Sequence, residues 1–388
     1  MTRDPTQVVY YAESFCGLSE TYVYRTAQCL SAIAPTTILT HERKHHQAFP
    51  DNGLNIWVEP RVSRTPARLV AFARAWRVSG VLDSRSLSPH LLRCVTNKAR
   101  KGCVFAQFGL AGVRALGAAM SLRWPVIVNF HNCDLTTWLS FQGYFRNLGR
   151  LFSSTRAVFV VPSQYIAAKL IALGAPACRT RVYHNPIPIP GAREFFSAKS
   201  GRLVFLHTGR LVPMKGIIYT LKAFAKIAAS HDCILRVIGA GPEEHPARRL
   251  AFDLGIAERV TFLGAVEFPV VQREMAIADV FVQHSVTTNE GETEGLPVAI
   301  CEAMSYGLPI VATRHAGIPE LVTDQVTGIL APEGDVDAMA DAMASLAESS
   351  RMRLEFGNRG RSAVLRGFSM QAAQAALDGM LREVETLS

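Results

Sequence analysis

Residues 278–322 read ADVFVQHSVTTNEGETEGLPVAICEAMSYGLPIVATRHAGIPELV, and this stretch decides the fold. Two short apolar runs, 279–283 and 309–312, have the composition of buried parallel strands. Between them lie a polar loop and a helix opening at Gly295-Leu296-Pro297, where a proline at the first helical position needs no N–H partner. Gly307 ends that helix. Strand, helix and strand in succession predict a unit of an open α/β sheet.

Two carboxylates mark the element. Glu294 is expected at the helix start and Glu302 eight residues further on. Helical geometry would then separate them by roughly 80° in direction and about 12 Å in height, so that they touch opposite ends of one elongated ligand. Glu294 would lie at the positive end of the dipole, and Glu302 could accept a pair of hydroxyl hydrogen bonds. For a bare E-x7-E the alternative is an amphipathic surface helix with two solvated glutamates. Here the pair encloses Gly295-Leu296-Pro297 and is followed by Gly-Leu-Pro-Ile-Val-Ala-Thr (307–313) and Ala-Gly-Ile-Pro-Glu (316–320). The whole run resembles the donor-site signature of retaining GT-B glycosyltransferases of the glycosyltransferase 4 family, of the exopolysaccharide and lipopolysaccharide-assembly type.

With 388 residues, 49% hydrophobic and 19% charged, the chain can build two α/β domains, each with its own core. It has no apolar run of the length a membrane span requires, and its N-terminus, MTRDPTQVVYYAE, leads straight into a strand. Eight scattered cysteines without a C-x-x-C pair read as reduced thiols, which predicts a cytoplasmic location. The net charge is +9, and residues 61–101 alone hold ten Lys or Arg against Asp83. Within them Leu69, Phe72, Ala73 and Trp76 follow i, i+3, i+4, i+7 spacing beside Arg68 and Arg77. A basic amphipathic helix of this kind suits an anionic membrane surface. A core-facing helix with a solvated basic side fits equally well. No recognised nucleic-acid motif accompanies the charge, so nucleic acid is not expected as a partner.

Strands are predicted at 7–12, 36–39, 55–58, 104–107, 126–130 and 157–161, with helical patterns between most of them. The loop after the first strand holds Gly17, which would let backbone approach a ligand; an ordinary strand–helix turn is the alternative. Ser19 or Thr21 is a candidate N-cap for the helix that follows. This opening resembles that of some exopolysaccharide-assembly members, although many relatives carry a glycine pair where only Gly17 stands. The fifth strand runs into Asn129-Phe130-His131-Asn132-Cys133-Asp134. A histidine just past a strand's carboxyl end is placed for chemistry, and Asp134 could fix its ring. A packing role is the alternative. The segment resembles the family's F-H-G-x-D element, with Asn132 in place of the glycine, and the resemblance gives His131 a contact to the donor sugar. Prolines 186, 188 and 190 mark 186–200 as a linker.

The second sheet is expected to begin near Arg202 and to run into Gly209-Arg210-Leu211-Val212-Pro213-Met214-Lys215-Gly216. A glycine-bearing loop, a helix N-terminus and two cations form a seat for a pyrophosphate; solvated loop cations are the alternative. The loop resembles the family's GRL-x-x-x-KG phosphate element. Gly239-Ala240-Gly241-Pro242 lacks the third glycine of a dinucleotide fingerprint, but in the family this loop borders the nucleotide, with Leu263 near the base. Gly317 would allow backbone close to the sugar.

The resemblance implies a GT-B architecture: two Rossmann-like domains with parallel sheets facing a central cleft. Residues 1–185 form the acceptor-side domain, 201–370 the donor domain, and 371–388 a terminal helix crossing back to the first, with Met370 where most relatives have Trp. Arg210 and Lys215 would stabilise the leaving diphosphate in place of a metal ion. Glu302 would bind ribose hydroxyls, while Glu294 and the backbone of Gly295, Leu296 and Pro297 would hold the sugar. Gly209 and Gly241 complete the donor-binding set. The donor would be a UDP- or GDP-linked sugar, and the acceptor a saccharide or a lipid-linked saccharide at the inner membrane face. No metal or other cofactor is expected. A GT-B nucleotide-sugar epimerase and a non-catalytic nucleotide-sugar-binding subunit are the alternatives.

Overall fold

The computed structural model describes residues 6–17, 20–59, 87–97, 99–140, 142–191 and 201–386. The chain divides into two compact units, Met1–Pro186 with Met370–Ser388, and Ile187–Ser369. The second unit begins at Ile187 rather than at 201, the expected start of the donor domain, and it ends at Ser369. Ile187 belongs to the second unit because it is fully buried and its N–H donates to the Phe368 carbonyl at 2.9 Å. The predicted linker is thus packed chain at its start, and residues 192–200 lie outside the described residues.

The first unit is built on a seven-stranded sheet in the order β3-β2-β1-β4-β5-β6-β7. Its strands are β1 (Gln7–Phe15), β2 (Thr36–Arg43), β3 (Asn55–Val58), β4 (Gly102–Gln107), β5 (Val126–Asn129), β6 (Ala157–Val161) and β7 (Thr180–Val182). Every pairing is parallel. Successive residues of the central strands alternate between two cores, as the period of two requires. Val9, Val104, Val128 and Phe159 enter one core with the helices Gly109–Ser121 and Gln164–Ala172. Val8, Phe105, Ile127 and Val158 enter the other with Thr21–Ile33 and Met370–Glu385. The terminal helix docks through Ala373, Leu377, Leu381 and Val384, spaced at one-turn intervals. Burying a side chain the size of Leu377 is worth roughly 2 kcal/mol, so several of them anchor the chain end.

The second unit carries six parallel strands in the order β10-β9-β8-β11-β12-β13. These are β8 (Leu203–Thr208), β9 (Cys233–Ile238), β10 (Val260–Gly264), β11 (Val280–Gln283), β12 (Ile310–Thr313) and β13 (Gly328–Ala331). One face packs on the helices Ile217–Ala228 and Val336–Glu348, the other on Val298–Ser305 and the end of Ser350–Phe368.

The proposed membrane-facing helix around Leu69–Trp76 lies outside the described residues, as do Ser19 and Lys98. Glu20 occupies the N-cap position of the helix Thr21–Ile33, so Thr21 is its first residue rather than its cap. No helix among the described residues is long and apolar enough to cross a membrane. All eight cysteines are free thiols.

Candidate active site

In the second unit, the chain leaving β8 stays beside the chain leaving β9. The Gly209 N–H donates to the Ile238 carbonyl and the Leu211 N–H to the Ala240 carbonyl, both at 3.0 Å. The Gly241 loop closes on the same segment, the Glu243 N–H reaching the Leu211 carbonyl at 2.9 Å. A short turn, Pro213–Lys215, leads through Gly216 into the helix Ile217–Ala228. Gly216 has φ +58°, and a Cβ there would lie 1.7 Å from the His284 carbonyl oxygen, so only glycine allows this approach.

The turn delivers Lys215 to Glu294. Nζ stands 2.8 Å from Oε2, with 12% and 7% of the two side chains exposed. A pair this enclosed is held in place by its own desolvation, since removing either partner strands a buried charge. Arg210 is exposed and makes no ion pair among the described residues.

The helix after Glu294 begins later than its sequence suggests. It spans Val298–Ser305, and Pro297 is its N-cap, with extended backbone (φ −67°, ψ 109°). Glu294 therefore sits in irregular chain ahead of the helix, and the helical screw does not set its separation from Glu302. What fixes Glu294 comes from the loop after β12. Its backbone N–H donates to His315 Nε2 at 2.9 Å, and the Gly317 N–H donates to the Gly295 carbonyl at 3.1 Å. A Cβ on Gly317 would come within 2.2 Å of that same carbonyl oxygen. Because His315 Nε2 accepts, its proton is on Nδ1, which faces Glu333 Oε1 at 2.7 Å. Glu333 Oε2 accepts the Thr287 N–H at 2.7 Å. Burial pushes the Glu333 carboxyl up, but the Thr287 N–H and the His315 ring outweigh it and leave the group below its ordinary range.

Two further histidines line the same strand ends. His284 accepts the Gly334 N–H through Nε2 at 2.9 Å and stacks on Tyr219, ring centroids 4.9 Å apart. His207, on β8, places Nδ1 3.1 Å from the Val282 carbonyl. Burial lowers both to about 4, and Lys215 adds to the effect at His207, so both are neutral. None of His207, His284, His315 and Glu333 has a role in the sequence reading; the quoted stretch holds His284 and His315, but Glu333 and Gly334, which bond them, follow β13. Glu302 is buried on the helix Val298–Ser305, and Leu263 is half-buried at the end of β10, against the core that holds Leu296.

In the first unit, His131 follows β5 and is buried between Tyr22 and Phe108, at centroid distances of 4.7 and 4.9 Å. Gln107 orients the ring, its amide nitrogen 2.7 Å from Nε2. The Gln107 carbonyl accepts from Tyr10 and Asn129, which leaves its NH₂ to face the histidine. Nε2 is thus an acceptor and the ring neutral; burial lowers it to about 3. Asp134 does not hold the ring through the carboxylate, as expected from its spacing. Its oxygens take the backbone N–H groups of His131 at 2.8 Å and Gly109 at 2.9 Å, because the 132–135 turn points them back along the chain. Gly17 donates its N–H to the Glu20 carboxylate at 3.2 Å, an internal turn contact.

Two doubly wound parallel sheets, one with a cation-bearing glycine turn against a carboxylate, define an α/β protein of the two-unit kind. Residues 190–363 match the glycosyl transferases group 1 family and residues 19–189 match glycosyltransferase family 4. The chain is 30% identical over 294 residues to the putative colanic acid biosynthesis glycosyltransferase WcaL of Salmonella typhimurium, covering 72% of this chain and 70% of that one. It is 29% identical over 273 residues to the amylovoran biosynthesis glycosyltransferase AmsK of Erwinia amylovora, covering 69% and 67%. The crystal structure of Anabaena Alr3699/HepE in complex with UDP superposes with a TM-score of 0.78 at 19% identity, over 97% of this chain and 100% of that one. The chain belongs to the glycosyltransferase 4 family, with the GT-B fold, and is a glycosyltransferase.

Proposed function

We propose that this glycosyltransferase moves a hexose-type sugar from a UDP- or GDP-linked donor to a saccharide or lipid-linked acceptor in cell-surface polysaccharide synthesis, with retention of anomeric configuration. The observation that carries this reading is the 2.8 Å contact between Lys215 and Glu294. An ammonium has three N–H donors. One is directed at Glu294, and the others are available to diphosphate oxygens, where charge accumulates as the bond from the anomeric carbon to the leaving phosphate oxygen breaks. Arg210, with its free guanidinium, neutralises the same group. Glu294 then accepts from a sugar hydroxyl, and Glu302 from the ribose. The acceptor oxygen bonds to the anomeric carbon on the face the diphosphate leaves, and its proton passes to the departing phosphate oxygen. Glu294 is occupied by Lys215 and serves as a hydroxyl acceptor rather than a nucleophile. The amylovoran and colanic acid relatives support the polysaccharide setting, and the basic charge of residues 61–101 supports an anionic membrane surface for a lipid-linked acceptor.

A panel of UDP-glucose, UDP-galactose and GDP-mannose tests this by thermal stabilisation and slow hydrolysis, since a ligand held at a hundred times its Kd adds about 2.7 kcal/mol to stability. One nucleotide class should raise the melting temperature. Interconversion of the sugar instead of its release or transfer would establish an epimerase, and stabilisation without turnover on any acceptor would establish a binding subunit.

A further inference from the structure

We propose that His315 is a positioning residue that, backed by Glu333, latches Glu294 in front of Lys215. The chain of contacts is continuous. Thr287 N–H and His315 Nδ1–H converge on the two oxygens of Glu333, each at 2.7 Å. His315 Nε2 takes the Glu294 N–H at 2.9 Å, and the Glu294 carboxylate meets Lys215 at 2.8 Å. His315 is 1% exposed, so its bond to the Glu294 N–H is shielded from water, while Glu333 holds the other ring nitrogen from the exposed side. Glu294 precedes the helix Val298–Ser305 and has no helical hydrogen bond to hold it. Its N–H would otherwise be a buried donor without a partner, which is costly enough to let the segment rearrange. The latch also links three loops, after β11, β12 and β13, so that the position of Glu294 depends on Glu333, 39 residues away in sequence.

The two ring nitrogens can be tested apart. His315→Gln places a carbonyl oxygen near the Nε2 position and keeps the acceptor for Glu294. His315→Asn reaches only the Nδ1 position and keeps the contact to Glu333. Peptide-resolved hydrogen–deuterium exchange of the full chain over residues 287–297 reads the latch without any ligand. We expect exchange in His315→Asn and in Glu333→Gln to be about tenfold faster than in the unsubstituted protein, with His315→Gln close to it. Equal exchange in all four proteins would overturn the latch, and so would protection kept by Asn but lost in Gln. The consequence for transfer rests on the reading of Glu294 as a sugar ligand. There, His315→Asn should raise KM for the turned-over probe, UDP-glucose or GDP-mannose, about tenfold, with UDP or GDP affinity unchanged, and His315→Gln should restore it. Faster exchange with unchanged KM would support the latch and overturn the assignment of Glu294 to the sugar.

Discussion

At the strand ends of the first unit, the side chains against the His131 ring are the neutral Gln107, Tyr22 and Phe108, while the Asp134 carboxylate is turned onto the backbone N–H groups of His131 and Gly109. At those of the second, Lys215 pairs with Glu294, and His315 joins the Glu294 backbone to the Glu333 carboxylate. The same doubly wound scaffold therefore gathers two kinds of side chain at its strand ends. A neutral, aromatic-walled acceptor suits hydroxyl groups, whose binding needs direction but little charge. A paired cation suits a diphosphate, whose charge grows during reaction.

Removing the cation should break this contrast most severely. Lys215→Met should lower transfer at least about a hundredfold and also destabilise the second unit, because Glu294 is left buried and unpaired. Lys215→Met with Glu294→Gln should regain stability, measured by urea melts, and stay inactive. In the first unit His131→Ala removes no charge and should cost transfer only about tenfold, the scale of one neutral hydrogen bond. If the two losses were equal, the division between an ionic and a neutral site would fail.

Gly317→Ala comes next. The added Cβ would lie 2.2 Å from the backbone oxygen of Gly295, which cannot swing aside as a side chain can. An overpacked site of this kind costs about 2 kcal/mol, and the displaced Gly295 should carry Glu294 with it, lowering transfer. Gly109→Ala in the first unit meets side chains instead, the Tyr144 hydroxyl at 2.1 Å and Phe130 at 2.5 Å. It should destabilise through the aromatic core, read as a lower tryptophan-monitored midpoint, and leave Glu294 in place.

Much of this architecture was legible because its signals are short-range. Alternating apolar strands, the Gly209–Gly216 turn and the glutamates at 294 and 302 each fit within a window of a few residues. The register that joins strands was not. Gln107 faces His131 because it pairs with Asn129 across β4 and β5, and no spacing along the chain reveals that. The pairing of His315 with Glu333 likewise depends on β12 lying beside β13. Pro297 misled for another reason: proline is tolerated both at the first helical residue and in the extended N-cap it actually occupies.

Acid should separate the units further. His207 and His284 are depressed to about 4 by burial. Unfolded histidine binds its proton near pH 6.5, so their stabilising contribution is complete above that value and is lost as pH falls toward 4, by about 2 kcal/mol at pH 5 for His207. In the first unit His131, lowered to about 3 by burial, acts in the same direction, but Asp134 opposes it. Burial raises Asp134 to about 7 against the hydrogen bonds it accepts, so its contribution is present at low pH and lost as pH rises toward 7. All four tryptophans, 57, 76, 124 and 138, lie in the first unit. In urea at pH 5, the circular dichroism transition should therefore begin ahead of the tryptophan fluorescence transition, whereas at pH 7 the gap should narrow. Coincident shifts of both signals would show that the two units unfold together.

The smallest expected effect sharpens the neutral side of the comparison. Gln107→Glu replaces the amide that donates to His131 Nε2 with a carboxylate that can only accept. The ring must then turn its proton to Nε2 or take up a second one, and a buried anion beside it favours the second outcome. The carboxylate still accepts from Tyr10 and Asn129, and pairing with a protonated ring offsets the desolvation of its buried charge. The His131 imidazole resonances in NMR spectra should titrate at a higher pH than in the unsubstituted protein, and acid sensitivity in the first unit should fall accordingly. An unchanged titration would mean that Gln107 does not set the protonation state of His131, leaving burial between Tyr22 and Phe108 as its cause.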